Sequence, residues 1–427
     1  MNSLHEIQVP ASQAQGVMDH INGDRLMQML RQLASFGMRN DSGVSREALT
    51  PTELEARQWL CSLFTGSQYQ WVIDDAANLL LRREGTFPEL APVMTGSHID
   101  TQPVGGWLDG AYGVMAGLEV LHALDDAGIQ TRRAIEVVAW TNEEGSRFSP
   151  GAMGSSAFSQ PDRLTGFLEA QDNDGHRFES ARDAAHQVTP NAKKAALGHP
   201  VHAYIEAHIE QGPVMELGGY SLGVVSSIQG VRWYEVTVHG NSAHAGTTPL
   251  MARQDALLTA ATMVSQLGAE AAARNDHALR LTVGRFEVSP GSINTVADRV
   301  TFSVDIRHPQ ESELIAMQYL LGSVLERNVG TCSHEVRLLM QRSPTLFDEH
   351  VLSVLSAAVV ATGVPHCSLG SGAFHDAMYL ADCCPAAMLF VPSIEGISHN
   401  AAENTHTADL VAGAKALAFA LVTLAIT

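Results

Sequence analysis

Apolar positions along the chain switch between helical spacing and unbroken runs. Leu26, Leu30 and Leu33 fall on one face of a helix over Asp24 to Phe36, as a core-covering helix requires. The run Val93-Met94-Thr95 reads as a strand that breaks at Gly96, after which Val114, Leu118 and Leu121 mark a helix ended by Gly128. Ile135 to Trp140 is apolar and β-branched and runs into a polar turn, so it reads as a second buried strand, and Tyr204 to Ile209 reads as a third. Strands alternating with helices predict an α/β layer with helices on both faces of its sheet.

From Val231 to Met340 the rhythm changes. Tyr234, Val236 and Val238 alternate on a strand, and a helix follows from Asp255 to Leu267. Strands at Leu279 to Phe286 and Val300 to Arg307 precede a helix carrying Leu314, Met317, Leu321 and Val324, and a strand at Val336 to Met340 closes the set. The order βαββαβ predicts a ferredoxin-like α+β sandwich. Beyond it come a helix near Val351 to Val360, a strand at Ala386 to Val391 and a closing helix from Thr407. The expected architecture is one α/β domain, residues 1–228 and 341–427, interrupted by a compact inserted domain, residues 229–340. Asp172 to Lys194 is polar and reads as a surface excursion.

Composition narrows the function. At 427 residues the chain exceeds what one core normally supports, and 45% hydrophobic residues suffice for two. A formal charge of −20 disfavours nucleic acid or an anionic membrane as partner, since either needs a basic stripe, and leaves small molecules. The start has no basic segment followed by an apolar one, and no apolar run reads as approaching the ~20 residues that span a bilayer, so a cytoplasmic protein is expected. Five cysteines without repeated spacing read as free thiols; Cys383 and Cys384, adjacent and before Pro385, lack zinc-site spacing and read as buried packing.

Candidate chemistry gathers where strands end. Gly96-Ser97-His98-Ile99-Asp100-Thr101 and Gly105-Gly106-Trp107-Leu108-Asp109-Gly110 put an imidazole and a carboxylate in a glycine-rich loop at the edge where open α/β sheets bind ligands. Alone, His98 fits a turn and Asp109 a helix cap; together they suit a divalent transition metal. Asp100, two residues on, is placed to fix the imidazole tautomer as a supporting carboxylate. The next strand delivers Glu143 and Glu144. Adjacent carboxylates repel, which either Arg147 in a solvated turn or a bound cation would relieve; with a metal, one acid coordinates and the other accepts a proton from water. His208 and His399 each follow a predicted strand near a glycine. If Asp109 bridges, His98, Asp109, Glu144, His208 and His399 give two metals three protein ligands each. On the strand ending at Arg307, that guanidinium lies on the polar side with Asp305, fitting either a surface pair or a fork for a carboxylate.

These segments resemble the M20-type metallopeptidase-like amidases: N-carbamoyl-L-amino-acid hydrolases, β-ureidopropionases, and allantoate and ureidoglycolate amidohydrolases. The motifs are GSHIDTQPVGGWLDGAYGV, WTNEEGSRF, HIEQGPV, HAGTTPL, SGAFHDA and GISHN, and the resemblance covers the chain from about Ile21 to the last helix. It implies two divalent metal ions per subunit, zinc, with manganese, cobalt or nickel in related enzymes. One is held by His98 and His208, the other by Glu144 and His399, and Asp109 bridges them. It implies Glu143 as general base and Gln211, Asn294 and Arg307, with Gly372 and Ala373, as substrate-binding residues. It also implies an inserted lid that makes a homodimer and carries His244 into the partner's site. The expected reaction is cleavage of the ureido C–N bond of an N-carbamoyl-L-amino acid or N-carbamoyl-β-alanine to amino acid, ammonia and carbon dioxide. The alternatives are allantoate or ureidoglycolate hydrolysis, then a dipeptidase or aminoacylase. Phe374 stands where many relatives have a second glycine in the SGAGHDA motif, and bears on the substrate side chain.

Overall fold

The computed structural model describes residues 12–427. The chain divides between Ser226 and Ser227 and between Thr345 and Leu346 into two compact units.

The first unit is built on one mixed sheet. Its neighbours run Leu222–Ile228, Ala386–Val391, Ala203–Ile209, Val93–His98, Ile135–Trp140, Leu79–Arg83, Tyr69–Asp74 and Lys193–Ala195. The four strands Ala386–Val391, Ala203–Ile209, Val93–His98 and Ile135–Trp140 are mutually parallel and buried throughout. Leu222–Ile228 and Leu79–Arg83 flank them antiparallel. Alternation assigns each strand two faces. Ile135, Val137, Ala139, Ile205, Ala207, Leu389 and Val391 join the main core with the helices Gly23–Ser35, Ala111–Asp126, Glu349–Thr362 and Thr407–Ile426. Trp140 and Tyr204 turn the other way, where Trp140 meets Phe158 of the helix Met153–Ser159 edge-on. Helices therefore cover both faces.

Four expectations about the first unit need correction. The Val93 strand does not break at Gly96 but continues to His98; Gly96 adopts φ +141°, and a Cβ there would lie 2.0 Å from the Val138 carbonyl, so the glycine marks close strand contact. The segment from Asp172 to Lys194 contains the helix Phe178–Val188, whose Phe178, Ala181 and Ala185 pack with Phe148 and Met153, and ends in the edge strand Lys193–Ala195. The closing helix Thr407–Ile426 is, at 20 residues, long and apolar enough to cross a bilayer by length and composition. It is apolar all round because it is sunk in the core, with Leu410, Leu417, Leu421 and Leu424 buried. Cys383 is exposed and Cys384 half-buried, since both sit in a turn before the strand and not within it.

The second unit, Ser227–Thr345, has an antiparallel sheet in which Arg299–His308 and Gly230–His239 lie centrally and Ser333–Arg342 forms one edge. The expected strand from Leu279 to Phe286 is two short ones, Arg280–Thr282 and Phe286–Ser289, both paired to Arg299–His308. Strict alternation buries Val300, Phe302, Val304 and Ile306 against the helices Ala256–Ala273 and Glu311–Asn328. With the two short strands counted as one interrupted edge strand, the order is βαββαβ.

Candidate metal centre

All four parallel strands of the first unit end on the same edge, and the candidate ligands leave from there. His98 is the last residue of its strand. The following loop returns Asp109 beside it through Gly110, at φ +62°, where an added Cβ would lie 2.4 Å from the His98 ring. Asp109 Oδ1 lies 3.7 Å from His98 Nε2 and 3.2 Å from His208 Nε2, and Oδ2 lies 3.2 Å from His399 Nε2. His399 Nε2 is also 3.4 Å from Glu144 Oε2. Two donor sets result, His98–Asp109–His208 and Asp109–Glu144–His399, each with its ligand atoms within 4.8 Å of one another. Asp109 belongs to both.

The hydrogen bonds show what this cluster is built to hold. His98 Nδ1–H donates to the carbonyl of Asp100 at 2.8 Å, and His208 Nδ1–H donates to that of Ile209 at 2.9 Å. Imidazoles so held present Nε2 as a lone pair whenever they are neutral. The Gly110 N–H, donating to His208 Nε2 at 3.2 Å, requires the same tautomer. Lone pairs then face the oxygens of a buried carboxylate, an opposition that a cation between them resolves. Two ligands bound at ~2.1 Å with tetrahedral angles stand about 3.4 Å apart, within the spread of the separations above. The donor set and its spacing fit divalent metal.

The adjacent acids are handled differently from each other. Glu144 faces His399 and accepts from Gln102 N–H at 3.1 Å and Gln102 Nε2 at 2.7 Å. Glu143 belongs to neither ligand set, and its Oε2 lies 3.5 Å from His98 Nε2. Burial first, then the charges of Asp376, Glu144, Asp100 and Asp109, hold the Glu143 carboxyl well above the usual carboxylate range. Burial and Asp109 push Glu144 up to about 8. Asn142 precedes them at φ +55°, pinned by its Nδ2 donating to the Phe148 carbonyl at 2.8 Å. Gln211 and His399 are also left-handed, at φ +59° and +52°, so uncommon backbone conformations concentrate here.

The expected role of Asp100 changes. Its carboxylate is 3.8 Å from His98 Nδ1, too far to orient the ring, which its main-chain carbonyl does instead. The carboxylate accepts the N–H groups of Glu143 at 3.3 Å and Glu144 at 3.2 Å, so it shapes the acidic turn.

A family model, Peptidase family M20/M25/M40, matches residues 94–423. The chain belongs to this family. It is 34% identical over 408 residues to N-carbamoyl-L-amino-acid amidohydrolase of Rhizobium meliloti, covering 95% of this chain and 97% of that protein. It is 35% identical over 401 residues to allantoate amidohydrolase of Escherichia coli, covering 92% and 96%. A hydantoinase/carbamoylase family amidase structure from Burkholderia multivorans superposes with TM-score 0.87 at 38% identity, covering 95% of this chain and 98% of that one. The chain is thus a hydrolase acting on C–N bonds, an amidohydrolase of the carbamoylase and allantoate group within a metal-dependent family.

Several parts of this M20 site were not foreseen. Glu403 accepts the N–H groups of Leu108 and Asp109, both at 3.0 Å, and the Ser398 hydroxyl at 2.9 Å, fixing the loop that presents Asp109. Gly106 must be glycine, since a Cβ there would lie 2.0 Å from the Glu403 carboxylate. His375 packs edge-on against His208 with ring centroids 4.5 Å apart. With Glu206 and His208 it forms a third potential donor group. Nothing in the spacing of these residues pointed at Asp109.

Gln211, expected at a substrate carboxylate, donates from Nε2 to Asp109 Oδ2 at 3.0 Å and to Ser398 at 3.2 Å, while its buried Oε1 has no hydrogen-bond partner. Gly372 and Ala373 lie in the turn before His375, where Ala373 N–H donates to Ser371 Oγ at 3.1 Å. In the second unit, Arg307 grips Asp305, with contacts of 2.9 and 3.1 Å, which is the pairing the sequence offered as the alternative to substrate binding. His244 and Asn294 are exposed and adjacent: Thr295 pairs with His244, and Ala245 N–H donates to the Asn294 carbonyl at 3.0 Å. Their hairpin hangs from the Arg299 end of the central strand through Asp298, which accepts Gly240 N–H at 2.7 Å. Arg307 is at the other end, about 27 Å away at ~3.4 Å per residue.

Proposed function

We propose that the protein hydrolyses the ureido C–N bond of an N-carbamoyl-L-amino acid, or N-carbamoyl-β-alanine, releasing the amino acid, ammonia and carbon dioxide, with two divalent ions, zinc by family resemblance. The observation that carries this reading is Glu143: a buried carboxyl beside His98 Nε2 that joins no ligand set. A site that only bound metal would have no use for it. Divalent ions held by the two donor sets would supply Lewis acidity to the ureido carbonyl and acidify water. Glu143 accepts the proton of the attacking water and delivers it to the departing nitrogen.

A planar guanidinium at Arg307 suits bidentate capture of the substrate carboxylate, exchanging Asp305 for the ligand. We infer from the family resemblance that His244 serves the site of a second copy in a homodimer. The allantoate relative is as similar as the carbamoylase relative, so allantoate is the second reading. Ammonia release from a panel of N-carbamoyl-L-amino acids, N-carbamoyl-β-alanine, allantoate and ureidoglycolate tests the choice. Turnover of dipeptides without ammonia, and of none of the panel, would overturn it.

A further inference from the structure

On the opposite edge of the catalytic sheet, one strand length from the metal centre and so about 20 Å away at ~3.3 Å per residue, two cysteines stand side by side. Cys383 and Cys384 follow the short helix Ala377–Leu380 and immediately precede the strand Ala386–Val391. Their N–H groups donate to the Leu380 carbonyl at 3.0 and 2.9 Å. Both thiols point at that same oxygen, each at 3.4 Å. The turn thus gathers the two sulfurs around one atom on one side of the backbone. Cys383 is exposed and Cys384 is half-buried behind it; Cys61, Cys332 and Cys367 are each solitary in sequence and only partly accessible.

The neighbourhood separates the roles of the two thiols. The adjoining Cys384 thiol, and to a lesser degree the His199 imidazole, draw Cys383 below the usual thiol range against its partial burial and the Asp382 carboxylate. Cys384 is raised by its pairing with Cys383 and by burial, and keeps its proton. Glu136 fixes that imidazole, its Oε2 lying 2.8 Å from His199 Nε2. An accessible thiolate former beside a protonated thiol is the arrangement of an attacking and a resolving cysteine. The hydrolytic chemistry uses neither.

We propose that Cys383 and Cys384 form a thiol-exchange site that takes low-molecular-weight disulfides and closes to a vicinal disulfide. Cys383 thiolate attacks one sulfur of the disulfide; the new Cys383–sulfur bond forms as the old sulfur–sulfur bond breaks, and one thiolate leaves. Cys384 then loses its proton and attacks Cys383 Sγ, expelling the second small thiolate. The protein pair gives up two electrons and two protons, and the small disulfide becomes two thiols. Adjacent Cα atoms are ~3.8 Å apart, short of the roughly 4.4–6.8 Å of ordinary disulfides, so the closed pair is strained and reopens with excess thiol.

The test uses the reduced, metal-loaded protein and dithiobis(nitrobenzoic acid), an aryl disulfide. The wild type is expected to release two thiolates per chain in its fastest phase, after which the peptide holding both cysteines resists alkylation and is lighter by two hydrogen atoms. Cys384→Ser releases one and retains a stable aryl adduct on Cys383, whereas Cys383→Ser slows the fast phase at least tenfold. A wild type that retains the adduct on Cys383 without releasing the second thiolate overturns the proposal. So does faster modification of Cys61, Cys332 or Cys367.

Discussion

Asp100 holds Glu143 through the backbone: its Oδ1 accepts the Glu143 N–H at 3.3 Å while its own carbonyl accepts from the His98 ring at 2.8 Å. One residue therefore sets both the metal-facing tautomer of an imidazole and the position of the proposed base, using different atoms.

That division predicts a separable phenotype. Asp100→Asn leaves the carbonyl in place but puts an amide NH₂ against one of two buried N–H groups, at a cost of about 1–3 kcal/mol. Metal content is expected to survive while kcat falls at least tenfold. Loss of metal in step with kcat would return the carboxylate to the role of orienting His98.

Glu143→Gln preserves shape and removes proton acceptance. Turnover is expected to fall by ~10²-fold or more with metal stoichiometry unchanged, because general base catalysis contributes at least that much. Glu144→Gln, in contrast, is expected to lose metal from the His399 side. Activity of Glu143→Gln within tenfold of wild type would place the base elsewhere.

The two donor sets differ in access. His399 is half exposed, at 50%, whereas His98 and His208 show 2% and 1%. Chelation is accordingly expected to strip metal in two phases, the faster from the Glu144–His399 set and matched by His399→Ala. Metal analysis during dialysis against a chelator measures this, and a single phase in the wild type would contradict the assignment.

Gly106→Ala drives a methyl into Glu403, which holds the N–H groups of Leu108 and Asp109. The shared ligand Asp109 then loses its support, so weaker retention of both metals is expected, with Glu403→Ala behaving alike. Equilibrium dialysis alongside thermal melts checks that the fold persists; unchanged metal affinity would make Glu403 a bystander.

Shared sites in a dimer predict complementation. Glu143→Ala and His244→Ala are each expected to be nearly inactive, yet refolding them together as an equal mixture puts about half the chains into mixed dimers with one intact site each, recovering about a quarter of wild-type activity. A dimeric but inactive mixture would assign His244 to its own chain.

Much of this was legible in the residues because buried parallel strands are apolar throughout and their ends carry the chemistry. Ile135 to Trp140 and Ala386 to Val391 were readable to the residue. What escaped has physical causes. Glu403 meets Asp109 across 294 positions, so no local spacing could reveal it. Asp100 orients His98 through a main-chain carbonyl, which every residue has. The helix Phe178–Val188 buries mostly alanines besides Phe178, and their small apolar surface left the segment looking polar.

The sheet order also dictates when the catalytic unit can exist during synthesis. Ala386–Val391 lies between Ala203–Ile209 and Leu222–Ile228, so that gap in the ladder stays open until a segment made after the whole inserted unit has emerged. His399 and Glu403 come later still. The inserted unit, contiguous in sequence, can fold on the ribosome first, while the acidic pocket waits as an unfinished edge. A chain halted before Ala386 therefore carries the His98–Asp109–His208 set but neither His399 nor Glu403, and its second donor set is completed only by the last segment to emerge.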